Sequence, residues 1–317
     1  MALSLGAQGI SYLEGQKWDA GVSYRYLHSD RIFNGSQDQP ALRDSSVSDI
    51  HSFDVTAAYA FTKRFSLSLT LPILHAEHTS AWEHDGVHFH TMTAAGLGDL
   101  RLLGNAWLFD PATHPDGNIA LGAGVKAPTG DHDAQDISYQ AKGAVRSPVA
   151  DSIQLGDGGW GMVLEIQAYQ KVFKNTHAYL TGQYLINPRG QNGTLATVPD
   201  AFGIITTNSV PDQFIARAGV LYSLWPERGL SVGLGGRIEG IPVRDLIGSD
   251  AGWRTSGYSI SIEPGLYYSH GKNSFSITTP VALYRNRTQN VIERAQGAPP
   301  LGGFYDVMVI AGYSRRF

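Results

Sequence analysis

Hydrophobic and polar residues alternate with period two along almost the whole chain, and helical periodicity is scarce. The alternation predicts twelve strands, near 17–28, 51–61, 65–74, 97–109, 117–128, 159–171, 176–187, 212–225, 229–240, 256–269, 274–286 and 304–317. The third shows the pattern plainly: Phe65, Leu67, Leu69, Leu71 and Ile73 share one face, and Ser66, Ser68, Thr70 and Pro72 the other. In the first, Trp18, Ala20, Val22, Tyr24 and Tyr26 oppose Asp19, Gly21, Ser23 and Arg25.

The connections sort into two sets. Those at 62–64, 110–116, 172–175, 226–228 and 270–273 are short, and those at 29–50, 75–96, 129–158, 188–211, 241–255 and 287–303 are long. Short and long alternate strictly. Aromatic residues gather beside the short turns: Trp18, Tyr59, Phe61, Phe65, Phe109, Phe173, Tyr222, Trp225, Tyr268, Phe275, Tyr313 and Phe317. An even strand count, short turns at one rim, long loops at the other and an aromatic girdle describe an outer-membrane barrel. Closure also removes the sheet edges that lipid cannot satisfy. The expected fold class is therefore all-β, a 12-stranded antiparallel transmembrane β-barrel with short periplasmic turns and long extracellular loops. Phe317 would end its closing strand with an aromatic at the periplasmic interface. A soluble sandwich or jelly roll shares the alternation but explains neither the loop asymmetry nor that ending. Residues 1–16 are expected to form a short N-terminal segment on the periplasmic side, with 17–317 as the barrel.

Composition fits this reading. The 317 residues include no cysteine, 37 glycines and only 16% charged residues, with a net charge of -4. The weakly acidic balance gives no electrostatic case for nucleic acid. Without cysteine there is neither a disulfide nor a thiolate metal site. No apolar run approaches the length of a membrane-spanning helix. The opening "MALSLGAQGI" lacks the charged and apolar regions of a secretion signal, so an exported form is expected to have lost one. The expected surroundings are outer-membrane lipid and lipopolysaccharide of a Gram-negative cell.

The predicted inward rows carry both signs of charge. Arg25, Asp54, Asp99, Arg101, Lys126, Glu165, Arg217, Arg237, Glu239 and Glu263 are the candidate pore-lining residues. Two readings stand side by side. The charges orient a small solute in a selective pore, or they pair across a narrow lumen and plug it. Segment 75–96 holds His75, His78, His84, His88 and His90 among carboxylates. Imidazole with carboxylate suits a transition metal, yet the spacing matches no standard zinc module, and an exposed His-rich loop is the alternative. Asp131, Asp133 and Asp136 could gather calcium, but lack EF-hand spacing and suit a turn better. Pro72, Pro264 and Pro280 lie inside predicted strands and mark bulges, or an opening in the wall. Against an enzyme, the predicted outer rows show no histidine and no G-x-S-x-G elbow occurs. No cofactor is implied.

The stretches "VSYRYLHSDRIFNG", "GLGDLRL", "GVKAPTGDHD", "SIQLGDGGWG", "SISIEPGLYYS", "FSITTPVALYRNR" and "VIAGYSRRF" resemble a family of outer-membrane transporters named for the meta pathway of phenol degradation. The resemblance spans nearly the whole chain. It implies a porin-like channel for a small molecule, aromatic or otherwise hydrophobic, and it supplies no catalytic residue. A structural or partner-binding barrel with a plugged lumen is the alternative, its protein partner unknown.

Overall fold

The computed structural model describes residues 16–197 and 199–317, so the expected N-terminal segment, Gln16 apart, lies outside the described residues. Twelve antiparallel strands close into a barrel. They are β1 (Lys17–Ser29), β2 (Ser46–Ala60), β3 (Phe65–Ser80), β4 (His90–Leu97 and Leu100–Trp107), β5 (Gly117–Ala127) and β6 (Gly161–Phe173). The circuit continues with β7 (Thr176–Ile186), β8 (Gln213–Trp225), β9 (Leu230–Ile241), β10 (Gly257–His270), β11 (Asn273–Thr278 and Val281–Arg287) and β12 (Met308–Arg316). Each pairs with its chain neighbours. The circuit shuts where β12 pairs β1, from Asp19 opposite Arg316 to Leu27 opposite Met308.

Strand parity sets the two faces. Val55, Leu69, Leu121, Leu234 and Ile277 point outward and are 42–51% exposed, forming an apolar belt. Such a belt is stable only against hydrocarbon. At the short-turn rim, Trp18, Phe61, Phe65, Phe109, Phe173, Tyr222, Trp225, Tyr268, Phe275 and Phe317 are exposed as the predicted girdle. Trp18 packs on Tyr59 with ring centroids 4.8 Å apart, and Phe275 on Tyr313 at 4.9 Å. The Phe317 N–H donates to the Trp18 carbonyl, so the chain's end is fastened to its first strand. Leu69→Arg in mid-belt is expected to destabilise the barrel by about 2–4 kcal/mol, read by urea titration in lipid vesicles. An unchanged midpoint would show that this face does not meet hydrocarbon.

Two staves break, both at prolines. In β4 the ladder to β3 stops at Leu97, opposite Ile73, and resumes at Arg101, opposite Thr70. Between them the Gly98 N–H donates to the Pro72 carbonyl. The interruption shifts the parity: Thr91, Thr93, Ala95 and Leu97 are exposed, whereas beyond the break Leu102 faces out and Asp99 and Arg101 are buried. In β11 the break falls at 279–280, beside Pro264, and a further irregularity at Leu283 turns Arg285 and Arg287 inward. A local extra residue re-aims the side chains that follow it.

The strands also rise higher than the pattern predicts. β3 continues to Ser80 and pairs there with His90–Leu97, so much of the segment read as loop 75–96 is wall. The remaining long connections fold over and into the barrel. Val149, Ala150 and Ile153, from connection 128–160, pack on inward-facing Ile50, Ala76, Met92 and Ala94. Inside the wall, the Tyr179 ring crosses β8 and β9. A Cβ on Gly235 would meet its hydroxyl oxygen before any other atom, so that glycine makes room for the ring.

Candidate functional site

The interior has two levels. Nearest the long loops is a cavity of about 660 Å³. Its walls are the upper ends of β1, β2, β9 and β10, through Leu27, Ile50 and Ile241 among others. The long connections close around it with Trp82, Ala150, Pro199, Trp253, Pro299, Leu301 and Phe304. Most of the exposed lining surface is apolar, and between the apolar groups stand Arg25, His78 and the carboxylates of Glu83, Asp151, Asp200, Glu239 and Glu293. That size and character match a site for a small organic molecule.

Below it, charged side chains cross the lumen. Arg237 Nη2 lies 2.8 Å from Glu239 Oε2, and Arg237 Nη1 lies 3.6 Å from Glu263 Oε2. Arg217 Nε donates to Glu263 Oε2 at 3.0 Å. The Tyr305 hydroxyl donates to Glu239 Oε1 at 2.5 Å. Arg101 pairs with Asp54 at 3.3 Å. Gln167 and Gln183 both donate to Glu165. A third group ties the inward loop to the wall: Lys126, fully buried, contacts Asp99 at 3.4 Å and also pairs with Asp157. Asp99 accepts from the Gly130 and Asp157 amides at 2.9 and 3.2 Å as well. Buried carboxylates and ammonium groups persist only when matched in this way.

Of the ten charged residues named as candidate pore lining, nine take part in these contacts, and Arg25 lines the floor of the cavity above them. Sequence reading missed several partners. Asp157 is supplied by the loop. Arg254 pairs with Asp245 at 2.6 Å above the wall, and Arg287 with Glu293 at 2.7 Å. The signal for Asp157 was available in "GDGGW", where an acid sits among glycines that let backbone pass close by. Gly156 and Gly130 are such positions, each with the other's backbone within 3 Å of a built Cβ.

The five histidines named as candidate metal ligands are distributed over separate surroundings. His78 points inward, Nδ1 2.8 Å from the Ser48 hydroxyl and Nε2 3.4 Å from Glu83. His75 faces outward beside Glu77. His84 and His90 approach edge to face and share contacts with Tyr139, on which His90 stacks at 4.3 Å. His88 binds Asp85 at 2.7 Å in an exposed turn. Among the described residues no three His, Asp or Glu side chains come together as a metal site. Burial pushes the Glu83 carboxyl up, but its contacts with His78 and Ser80 outweigh this and hold it below the ordinary range. Asp131 accepts from the Asp133 amide at 2.9 Å, and Asp136 from the Thr93 amide at 2.8 Å, which is turn and loop anchoring.

The outer wall carries histidine, contrary to what the pattern of its rows predicts. His28, His51 and His75 stand on the outer wall, because the outward rows of β1, β2 and β3 continue upward past the apolar belt. Their partners are tyrosines and carboxylates: Tyr24 Oη lies 2.7 Å from His51 Nδ1, and Asp49 binds both Tyr26 and His28.

The chain is similar to an outer membrane channel from Pseudomonas putida F1, with 13% sequence identity, 98% of this chain and 100% of that one covered, and a TM-score of 0.67. That likeness establishes the fold. The toluene transporter TbuX from Ralstonia pickettii (12% identity, 96% and 90% covered, TM-score 0.44) is a more distant resemblance. So is the CymD monoaromatic hydrocarbon channel (8% identity, 96% and 89% covered, TM-score 0.45). Neither a protein-family model nor a curated protein matches the chain.

Proposed function

We propose that the protein is an outer-membrane channel for a small, largely apolar molecule, an aromatic compound being the class in view. The observation that carries this is the 660 Å³ apolar cavity held between the long loops and the charged waist. A pocket whose exposed surface is mostly apolar concentrates solutes that carry an apolar body. The similarity to the Pseudomonas putida outer membrane channel supports a transport role, as does the resemblance to the transporter family named for the meta pathway of phenol degradation. A solute moving along the axis meets the ion pairs of Arg217, Arg237, Glu239 and Glu263. A solute leaving sideways would have to part the wall, and the two ladder breaks, beside Pro72 and Pro264, are the places where its pairing is interrupted. The same waist favours the second reading, a barrel that holds a partner and transports nothing.

Uptake decides between them. Cells displaying the protein should take up naphthalene faster than cells without it. Leu27→Trp, which fills the cavity from β1, should reduce that uptake by about tenfold while leaving the folded barrel intact. Equal uptake with and without the protein would reject the channel.

A further inference from the structure

Among the described residues lining the cavity is one arginine, Arg25, that no carboxylate contacts directly. Arg25 projects from β1 at its floor, lining both the cavity and a void of about 30 Å³ beneath. Its guanidinium makes no hydrogen bond or ion pair with any described residue. Asp54 and Glu239 are the opposite charges that act on it. Both are committed elsewhere, Asp54 to Arg101 and Glu239 to Arg237 and Tyr305.

The carboxylates around the cavity show the opposite state. Glu83 accepts from Ser80, Asp151 from Thr255 at 3.0 Å, and Asp200 from Gln296 and two backbone amides. Glu293 is held by Arg287 and the Asn290 amide. Each acid of the cavity has a hydrogen-bond donor from the protein, whereas its arginine has no hydrogen-bonding acceptor among the described residues. Arg25 is half-buried inside the barrel, and a guanidinium partly removed from water gains most from an anion that meets it there. Its planar fork of donors fits a carboxylate in two parallel hydrogen bonds.

We infer that the cavity's solute is an amphipathic anion, with an apolar body among Leu27, Ile50 and Trp253 and a single carboxylate on Arg25. This rests on the reading of the cavity as the solute site. It narrows that reading from hydrocarbons in general to aromatic or aliphatic acids.

The test compares two probes of the same shape, 4-propylbenzoate and 4-propylbenzyl alcohol, binding to the full chain in nanodiscs. Calorimetry gives the affinities, and quenching of Trp82 and Trp253, which line the cavity, adds a second readout. The benzoate should bind about tenfold tighter or more. Arg25→Met should abolish that preference and leave the alcohol's affinity within about twofold, since the apolar contacts remain. Arg25→Lys keeps the charge but loses the fork, so it should retain part of the preference and guards against a Met variant that does not fold. Equal affinities in the native protein, or a preference that survives Arg25→Met, would overturn the anion inference while leaving the cavity reading in place. If neither probe binds, the solute site itself is wrong and the inference falls with it.

Discussion

Lys126→Met will cost the barrel about 3–5 kcal/mol and release the inward loop, because it strands two carboxylates in a buried place. Lys126 is fully buried between Asp99, at the β4 break, and Asp157, in the loop that precedes β6. Its ammonium is what lets two acids share that space. Asp157 is also held by Asn187, at 3.3 Å, so the disturbance should spread to the end of β7. The measurement is the thermal midpoint of the detergent-solubilised barrel, together with protease sensitivity of connection 128–160. Adding Asp99→Asn and Asp157→Asn should recover much of the loss, since the orphaned charges are then gone. A midpoint shift too small to measure would mean that water already reaches the triad.

The second large effect concerns conduction. The native protein in a planar bilayer should show little ionic current, because paired side chains fill the waist. Replacing Arg217, Arg237, Glu239 and Glu263 together by alanine removes four long side chains while keeping the net charge unchanged. Discrete current steps should then appear, with conductance raised on the order of tenfold. Single truncations are poorer tests: Glu263→Ala alone leaves Arg217 and Arg237 facing one another, which costs stability before it opens anything. Large steps from the native protein would show that the ion pairs leave a continuous aqueous path, and the mixed charges would then orient a hydrated solute.

The wall was legible in the sequence because lipid imposes it. Wherever the outer face meets hydrocarbon, as in Phe65–Ile73 of β3, the alternation of apolar and polar residues is nearly complete. Above the belt that pressure ends. His75, Glu77 and Thr79 point outward where only headgroups and water meet them, so the upper part of β3 reads as loop. For the same reason the outer-wall histidines escaped notice. The parity changes at Gly98 and Leu283 are single-residue events, and period-two reasoning cannot carry a strand across them. Inward charge was legible residue by residue, but pairing was not. Lys126 and Asp157 are brought together by a loop, and Arg25 differs from Arg101 only in what lies across the lumen from it. The cavity was the least legible feature, since segments from Leu27 to Leu301 contribute to it and none has a motif of its own.

The β1–β12 ladder carries a consequence for how the chain reaches its final form. It joins Asp19 to Arg316, almost the full length of the polypeptide apart. Every other seam joins neighbours in sequence and can form early at modest entropic expense. Until the last strand arrives, the sheet is an open ribbon with two long unsatisfied edges. Such edges pair readily with other chains. They also have no place in hydrocarbon, so partial insertion gives no resting state. Closure must therefore be late, slow and all-or-none. Before it, the chain depends on whatever in the periplasm shields its edges, and a chain truncated before Met308 would remain at that stage.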